Sequence, residues 1–198
     1  ADGSVASKTA SLDVTVTGVA DAPTLSAANA SGNEDTAIPL NISSALTDTD
    51  GSETLSITIT GVTIAGVPEG AVLSAGTHNA DGTWTLTPDQ LTGLTITPPA
   101  NSSADFSLTV TATSSEDGTS SSTVATLNVD VTGVADTPSV TVSNASGAED
   151  TAIPLNISSA LTDTDGSETL AITIAGVPEG AVLSAGTHNA DGTWPLSP

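Results

Sequence analysis

NEDTAIPLNISSALTDTDGSETLSITI, residues 33–59, returns as AEDTAIPLNISSALTDTDGSETLAITI at residues 148–174, an offset of 115. Near-identity over so long a stretch reports duplication of a whole unit, and a period above a hundred residues is the size of a domain. Inside the stretch Leu55, Ile57 and Ile59 alternate with Ser56, Thr58 and Thr60, the period-two pattern of a strand with one buried face. The same alternation runs through Phe106, Leu108, Val110 and Ala112, and again through Leu127, Val129 and Val131. Further strands are expected at 24–28, 36–42, 71–74, 83–87 and 93–98, separated by DTDG, NADG and EDG turns and by prolines. Short helical turns are expected only at Ser43–Leu46 and Pro88–Leu91. The fold class is all-β, and about seven or eight short strands per repeat describe an immunoglobulin-like sandwich.

Working outward fixes the register. VTGVADAP at Val16–Pro23 matches VTGVADTP at Val131–Pro138, and Ala1–Ala20 aligns with Glu116–Ala135. The chain therefore reads as the last strand of a preceding repeat over 1–20, a complete repeat over 21–135, and the first part of the next over 136–198. The second copy skips the segment Thr60–Ile64, so the period is elastic at one loop.

One basic residue, Lys8, stands against 23 acids, for a net charge of −22. No cationic surface can be assembled from that, which excludes nucleic acid as a partner. No run reaches membrane-spanning length, so no membrane insertion is expected in this segment. The absence of Cys leaves the redox compartment open.

The acids gather between the strands: at the inter-repeat junction (Asp21, Asp136), at the ED pair (Glu34 and Asp35, Glu149 and Asp150), and in the DTDGSE loop (Asp48, Asp50 and Glu53, Asp163, Asp165 and Glu168). Glu116 and Asp117 lie in a further hairpin turn. Carboxylates at alternate positions followed by Gly let a tight loop turn several oxygens inward, as a hard cation such as Ca2+ requires. Asp and Gly also favour turns for backbone reasons, so a solvated acidic turn is the alternative for any one loop. His78, beside Asp81 in GTHNADG, lacks a second His or a Cys nucleophile in its repeat, and no enzyme is expected. Trp84 alternates with Leu86 and is expected in the core rather than as a sugar platform.

Four segments, VTGVADAP (16–23), NEDTAIPLNISSALTDTDGSETLSI (33–57), GVPEGAVLSAGT (66–77) and DGTWTLTP (81–88), carry a resemblance. The chain resembles the bacterial immunoglobulin-like, cadherin-like repeats of giant RTX-type adhesins and biofilm-associated surface proteins. That resemblance implies an extracellular extender arm of tandem β-sandwiches at the bacterial cell surface, stiffened by calcium near its junctions and exported by type I secretion. Its implied metal ligands are Asp21, Glu34, Asp35, Asp48, Asp50, Glu53 and Asp117, with the copies Asp136, Glu149, Asp150, Asp163, Asp165 and Glu168. Ala1 stands where Glu116 would fall in the preceding unit, and no RTX nonapeptide is present. The implied partners are neighbouring repeats and, through the incomplete ends, other copies of the chain head to tail. A self-assembling filament or surface-layer component and a carbohydrate- or partner-binding module are the alternatives.

Overall fold

A computed structural model describes residues 2–61 and 69–197 of the chain. It is all-β, with several small sheets in an arrangement consistent with a β-sandwich. The strands are β1 (Thr24–Ala27), β2 (Ala30–Asn33), β3 (Ile38–Pro39), β4 (Ile42–Ala45), β5 (Thr54–Gly61), β6 (Val72–Leu73), β7 (Thr77–His78), β8 (Trp84–Leu86), β9 (Thr95–Thr97), β10 (Phe106–Glu116) and β11 (Thr119–Thr132). They are followed by β12 (Ser139–Ser143), β13 (Asn156–Ala160), β14 (Ile172–Ile174) and β15 (Trp194–Leu196). The only helical turn among the described residues is the 3-10 turn Pro88–Leu91, at the position expected from Pro88 and Asp89. No helix among them is long and apolar enough to cross a membrane.

The largest sheet runs β2-β11-β10-β5-β8-β7, with β1-β4 and β3-β9-β6 as separate smaller sheets. Alternation sets its inner face. Leu108, Val110 and Ala112 of β10 and Leu127 and Val129 of β11 are fully buried, while the residues between them are not. Register puts Phe106 opposite Val129 and Leu108 opposite Leu127, so apolar side chains pair directly across the ladder. They form one core with Ile38, Leu40, Ile42, Leu86, Leu94 and Ile96 from the smaller sheets and β8. Trp84 packs against this core, as its alternation with Leu86 predicts. The facing of Ile57 and Ile59 and the elastic segment's residues 62–64 lie outside the described residues.

Two local readings are corrected. Ser43–Leu46, expected as a helical turn, is largely strand: β4 pairs antiparallel with β1, Thr24 opposite Ala45. The Ser44 hydroxyl donates to the Thr24 carbonyl at 2.7 Å and the Thr24 hydroxyl to the Ala45 carbonyl at 3.1 Å. Polar side chains that favour a turn are here used across the ladder instead. The second correction is β2, whose sequence ASGN has little strand propensity. It forms because it lies parallel to β11, Val129 opposite Ala30 and Val131 opposite Gly32. A Cβ at Gly32 would stand 2.7 Å from Ile38 Cγ1, so only glycine lets this strand lie on the core.

Gly76 is the other position where glycine is required. Its φ is 98°, and a Cβ there would meet the Thr85 carbonyl oxygen at 2.9 Å and Leu86 Cγ at 2.8 Å. Gly76→Ala is expected to lower stability by roughly 1–3 kcal/mol, measured by denaturant unfolding, since steric conflict adds to a left-handed backbone.

Residues 136–197 repeat the beginning of this arrangement. β12 pairs with β13, Ser139 opposite Ala160, which is the β1-β4 register moved by 115. β14 pairs with β15, Ile174 opposite Trp194. Residues 2–20 contain no strand, and Leu12, Val14 and Val16, expected as a terminal strand, are exposed.

Candidate metal centre

The junction between the two copies is built by residues 133–138, which leave β11 and enter β12. Glu34 stands where β2 ends, held by a backbone bond from its own amide to the Thr132 carbonyl at 3.0 Å. Its side chain is 1 % exposed. Oε1 accepts the Val134 amide at 2.6 Å, whereas Oε2 is buried with no hydrogen-bond partner. A carboxylate oxygen left that way is costly unless something positive meets it.

Asp163 and Asp165 arrive from the second DTDGSE loop. Asp163 is 1 % exposed, and its Oδ1 accepts the Asp165 amide at 2.8 Å while its Oδ2 accepts the Ser167 hydroxyl at 3.0 Å. Asp165 accepts the Ser167 amide at 2.7 Å on Oδ1, and the Ser103 amide and hydroxyl at 2.9 and 2.8 Å on Oδ2. The Ser167 hydroxyl, the amides of Ser103 and Ser167 and the Ser103 hydroxyl favour the charged form, and they hold the Asp165 carboxyl well below the usual carboxylate range. A depressed native pKa contributes stability that is present above the unfolded value and is lost as pH falls through the native one. Between pH 5 and 8, roughly, Asp165 is therefore a fully charged oxygen donor.

One ligand oxygen from each of Glu34, Asp163 and Asp165 lies within 4.8 Å of the others, so the group could hold a metal ion. Its donors are all carboxylate oxygens, with a buried unpartnered one at the centre. Hard cations suit that donor set; thiolate- and imidazole-seeking metals do not. The three acids come from both copies, Glu34 from the first and the two aspartates from the second.

The remaining expected ligands fall in two places. Around the same junction, the Asp136 amide bonds Glu168 Oε1, while Asp136 Oδ2 and Glu168 Oε2 are buried without partners. Asp35 lies beside Glu34 in a left-handed turn, φ 56°, and its Oδ1 accepts the Asn101 amide at 2.9 Å. At the other end of the first copy the Asp21 amide bonds Glu53 Oε1, and Glu53 Oε2 is again buried and unpartnered. There Asp48 Oδ1 accepts the Asp50 amide at 2.9 Å, Asp50 Oδ1 accepts the Ser52 amide at 2.8 Å, and Asp117 Oδ2 accepts the Gly18 amide at 3.2 Å. Glu149 and Asp150 are exposed. Asp48 and Asp50 thus do not join Glu34 of their own copy in the three-acid group; Asp163 and Asp165 do.

Ser103, Ser167 and the Val134 amide were not singled out by the sequence. A serine two residues from an aspartate in an abundantly Ser-rich chain carries no signal until the fold brings 103 against 165. His78 stacks on Trp84, ring centroids 4.9 Å apart, and His188 stacks on Trp194 in the same way at 4.8 Å. The histidine expected as a turn residue therefore lies on β7, packed on an aromatic ring. No protein-family model, curated protein or solved structure matches the chain.

Proposed function

We propose that this chain is a piece of a tandem immunoglobulin-like extender whose junctions are stiffened by calcium. The observation that carries the reading is the split site: Glu34 of one repeat faces Asp163 and Asp165 of the next, within 4.8 Å. An ion between them bridges repeats as well as binding them. The strand order supports the sandwich part, since β5, β10 and β11 make one sheet and β1, β4, β3, β9 and β6 supply the opposing layer, the division of an immunoglobulin-like domain. Calcium suits the oxygen-only donors and tolerates the irregular geometry of three carboxylates plus backbone or water oxygens. Near-identity of the copies also favours a spacer, which needs fold and length, over a specific binding module, which needs one distinctive surface.

Placement as a surface adhesin of a bacterium, export by type I secretion and the absence of catalysis belong to this same proposal and rest on the resemblance of the repeat motifs. With a charge of −22, the metal-free string repels itself, and neighbouring repeats splay unless a cation joins them. Millimolar calcium is expected to raise the melting temperature and to lengthen and narrow the small-angle scattering distance distribution. At a hundred times Kd one independent site adds about 2.7 kcal/mol to the folded state. Unchanged melting and scattering overturn the reading.

A further inference from the structure

The second copy carries an open apolar groove of about 510 Å³ lined by Ile153, Pro154, Leu155, Ile157, Leu183 and Leu196 among others. Ile153, Leu155 and Ile157 are 42 %, 51 % and 37 % exposed, whereas their counterparts Ile38, Leu40 and Ile42 are 1 %, 4 % and 6 % exposed. The difference is what covers them: in the first copy, β10 and β11 do. The groove nevertheless keeps the shape that receives β11. A Cβ at Gly147 would stand 2.7 Å from Ile153 Cγ1, as one at Gly32 would from Ile38. The Thr151 hydroxyl bonds the Ala148 carbonyl at 2.7 Å, as Thr36 bonds Asn33 at 2.7 Å.

The same chain displays a strand that fits. Leu12, Val14 and Val16 match the buried Leu127, Val129 and Val131 of β11, and they are 86 %, 74 % and 85 % exposed. Gly18 and Ala20 anchor this segment to the first copy, their amides bonding Asp117 Oδ2 at 3.2 Å and Thr119 Oγ1 at 2.8 Å, while residues 2–17 are exposed throughout.

We propose that the strand around Leu12–Thr17 of one chain docks into the second copy of another, and that this head-to-tail contact completes a metal site between chains. The β2-β11 register supplies the geometry: Val14 lies opposite Ala145, Thr15 opposite Ser146, Val16 opposite Gly147 and Thr17 opposite Ala148, in parallel. The docked chain continues through Gly18 and Val19 as Thr132 continues through Gly133 and Val134. Its Asp48 and Asp50 then face Glu149, as Asp163 and Asp165 face Glu34. Glu149 is exposed and belongs to no three-acid group among the described residues until that neighbour arrives. The contact is heterologous, so it propagates into a fibre unless its rotation closes a ring. Only one of the two covering strands is supplied, so the contact is a weak one. This inference rests on the calcium reading of the Glu34 site.

The chain has no cysteine, so an introduced pair reports the register directly. Chains carrying Thr15→Cys are mixed at high concentration with chains carrying Ser146→Cys, under mild oxidation, with calcium or with chelator. Parallel neighbours place the two Cα atoms within disulfide reach, about 4.4–6.8 Å. A covalent heterodimer is expected in calcium. Its rate should fall at least about tenfold in chelator, with Val14→Asp in the donor, or with Glu149→Gln in the acceptor. An off-register partner, Thr141→Cys, should not cross-link. Absence of the heterodimer, equal cross-linking off register, or indifference to calcium and to Glu149→Gln overturns the proposal. Calorimetry with calcium alone separates the two readings: binding that is lost in Glu34→Gln, with no cross-link, removes only the assembly. No calcium binding at all removes the proposed function and the composite site with it.

Discussion

Glu34→Gln is expected to change the sign of its effect on stability with the concentration of calcium. In chelator the substitution removes a buried carboxylate oxygen without a partner and relieves repulsion from Asp163 and Asp165, whose ligand atoms lie within 4.8 Å. The cation-free protein should then gain roughly 1–3 kcal/mol, the cost of an unsatisfied buried polar group. In saturating calcium the same change removes the central donor, and affinity at the junction should fall at least about tenfold, or 1.4 kcal/mol. Asp163→Asn is expected to weaken binding alike, whereas Asp81→Asn, in a turn closed by the Thr83 amide and hydroxyl, should leave it untouched. Thermal melts at two calcium concentrations, paired with calorimetry, decide it. Destabilisation of equal size with and without calcium would show that Glu34 is a structural anchor for Val134 and nothing more.

Leu108→Ala is the second change with a large expected effect. Leu108 has no exposed surface, sits at the centre of β10 and faces Leu127 across the ladder. Truncation costs the transfer free energy of the lost carbons and leaves a cavity that flanking strands cannot close, together about 2–5 kcal/mol. Chemical denaturation should show that loss in the first unfolding transition, with residues 136–197 little affected. Val124→Ala, on the same sheet but 61 % exposed, should move the midpoint far less. A small effect at Leu108 would mean that the sheets do not share the core assigned to them.

Strand existence was legible wherever one face is buried. Phe106–Ala112 and Leu127–Val131 alternate because every second side chain enters the core, and that periodicity survives without knowledge of any partner. β2 was illegible because nothing in Ala-Ser-Gly-Asn seeks a strand; it exists through β11, a hundred residues away. Ser43–Ala45 misled for a related reason, since serine hydroxyls serve a turn or a cross-strand carbonyl equally well. Within the candidate site, the acids were visible as a pattern, but their grouping was not. The DTDGSE loop suggests a self-contained cation loop, and the structure instead takes Glu34 from one copy and two aspartates from the next. Sequence proximity placed Glu34 with Asp48 and Asp50; the path of residues 133–138 places it with Asp163 and Asp165.

That division of donors has a consequence for stoichiometry. If every repeat brings a glutamate at its trailing end and two aspartates at its leading end, a lone repeat closes no such site and an array of N repeats closes N − 1. Ions bound per repeat then rise with array length towards one, and each added repeat contributes a full increment only through the neighbour it joins. Length itself becomes a measurable variable: the count from a two-repeat chain should be less than twice the count per repeat of a long one.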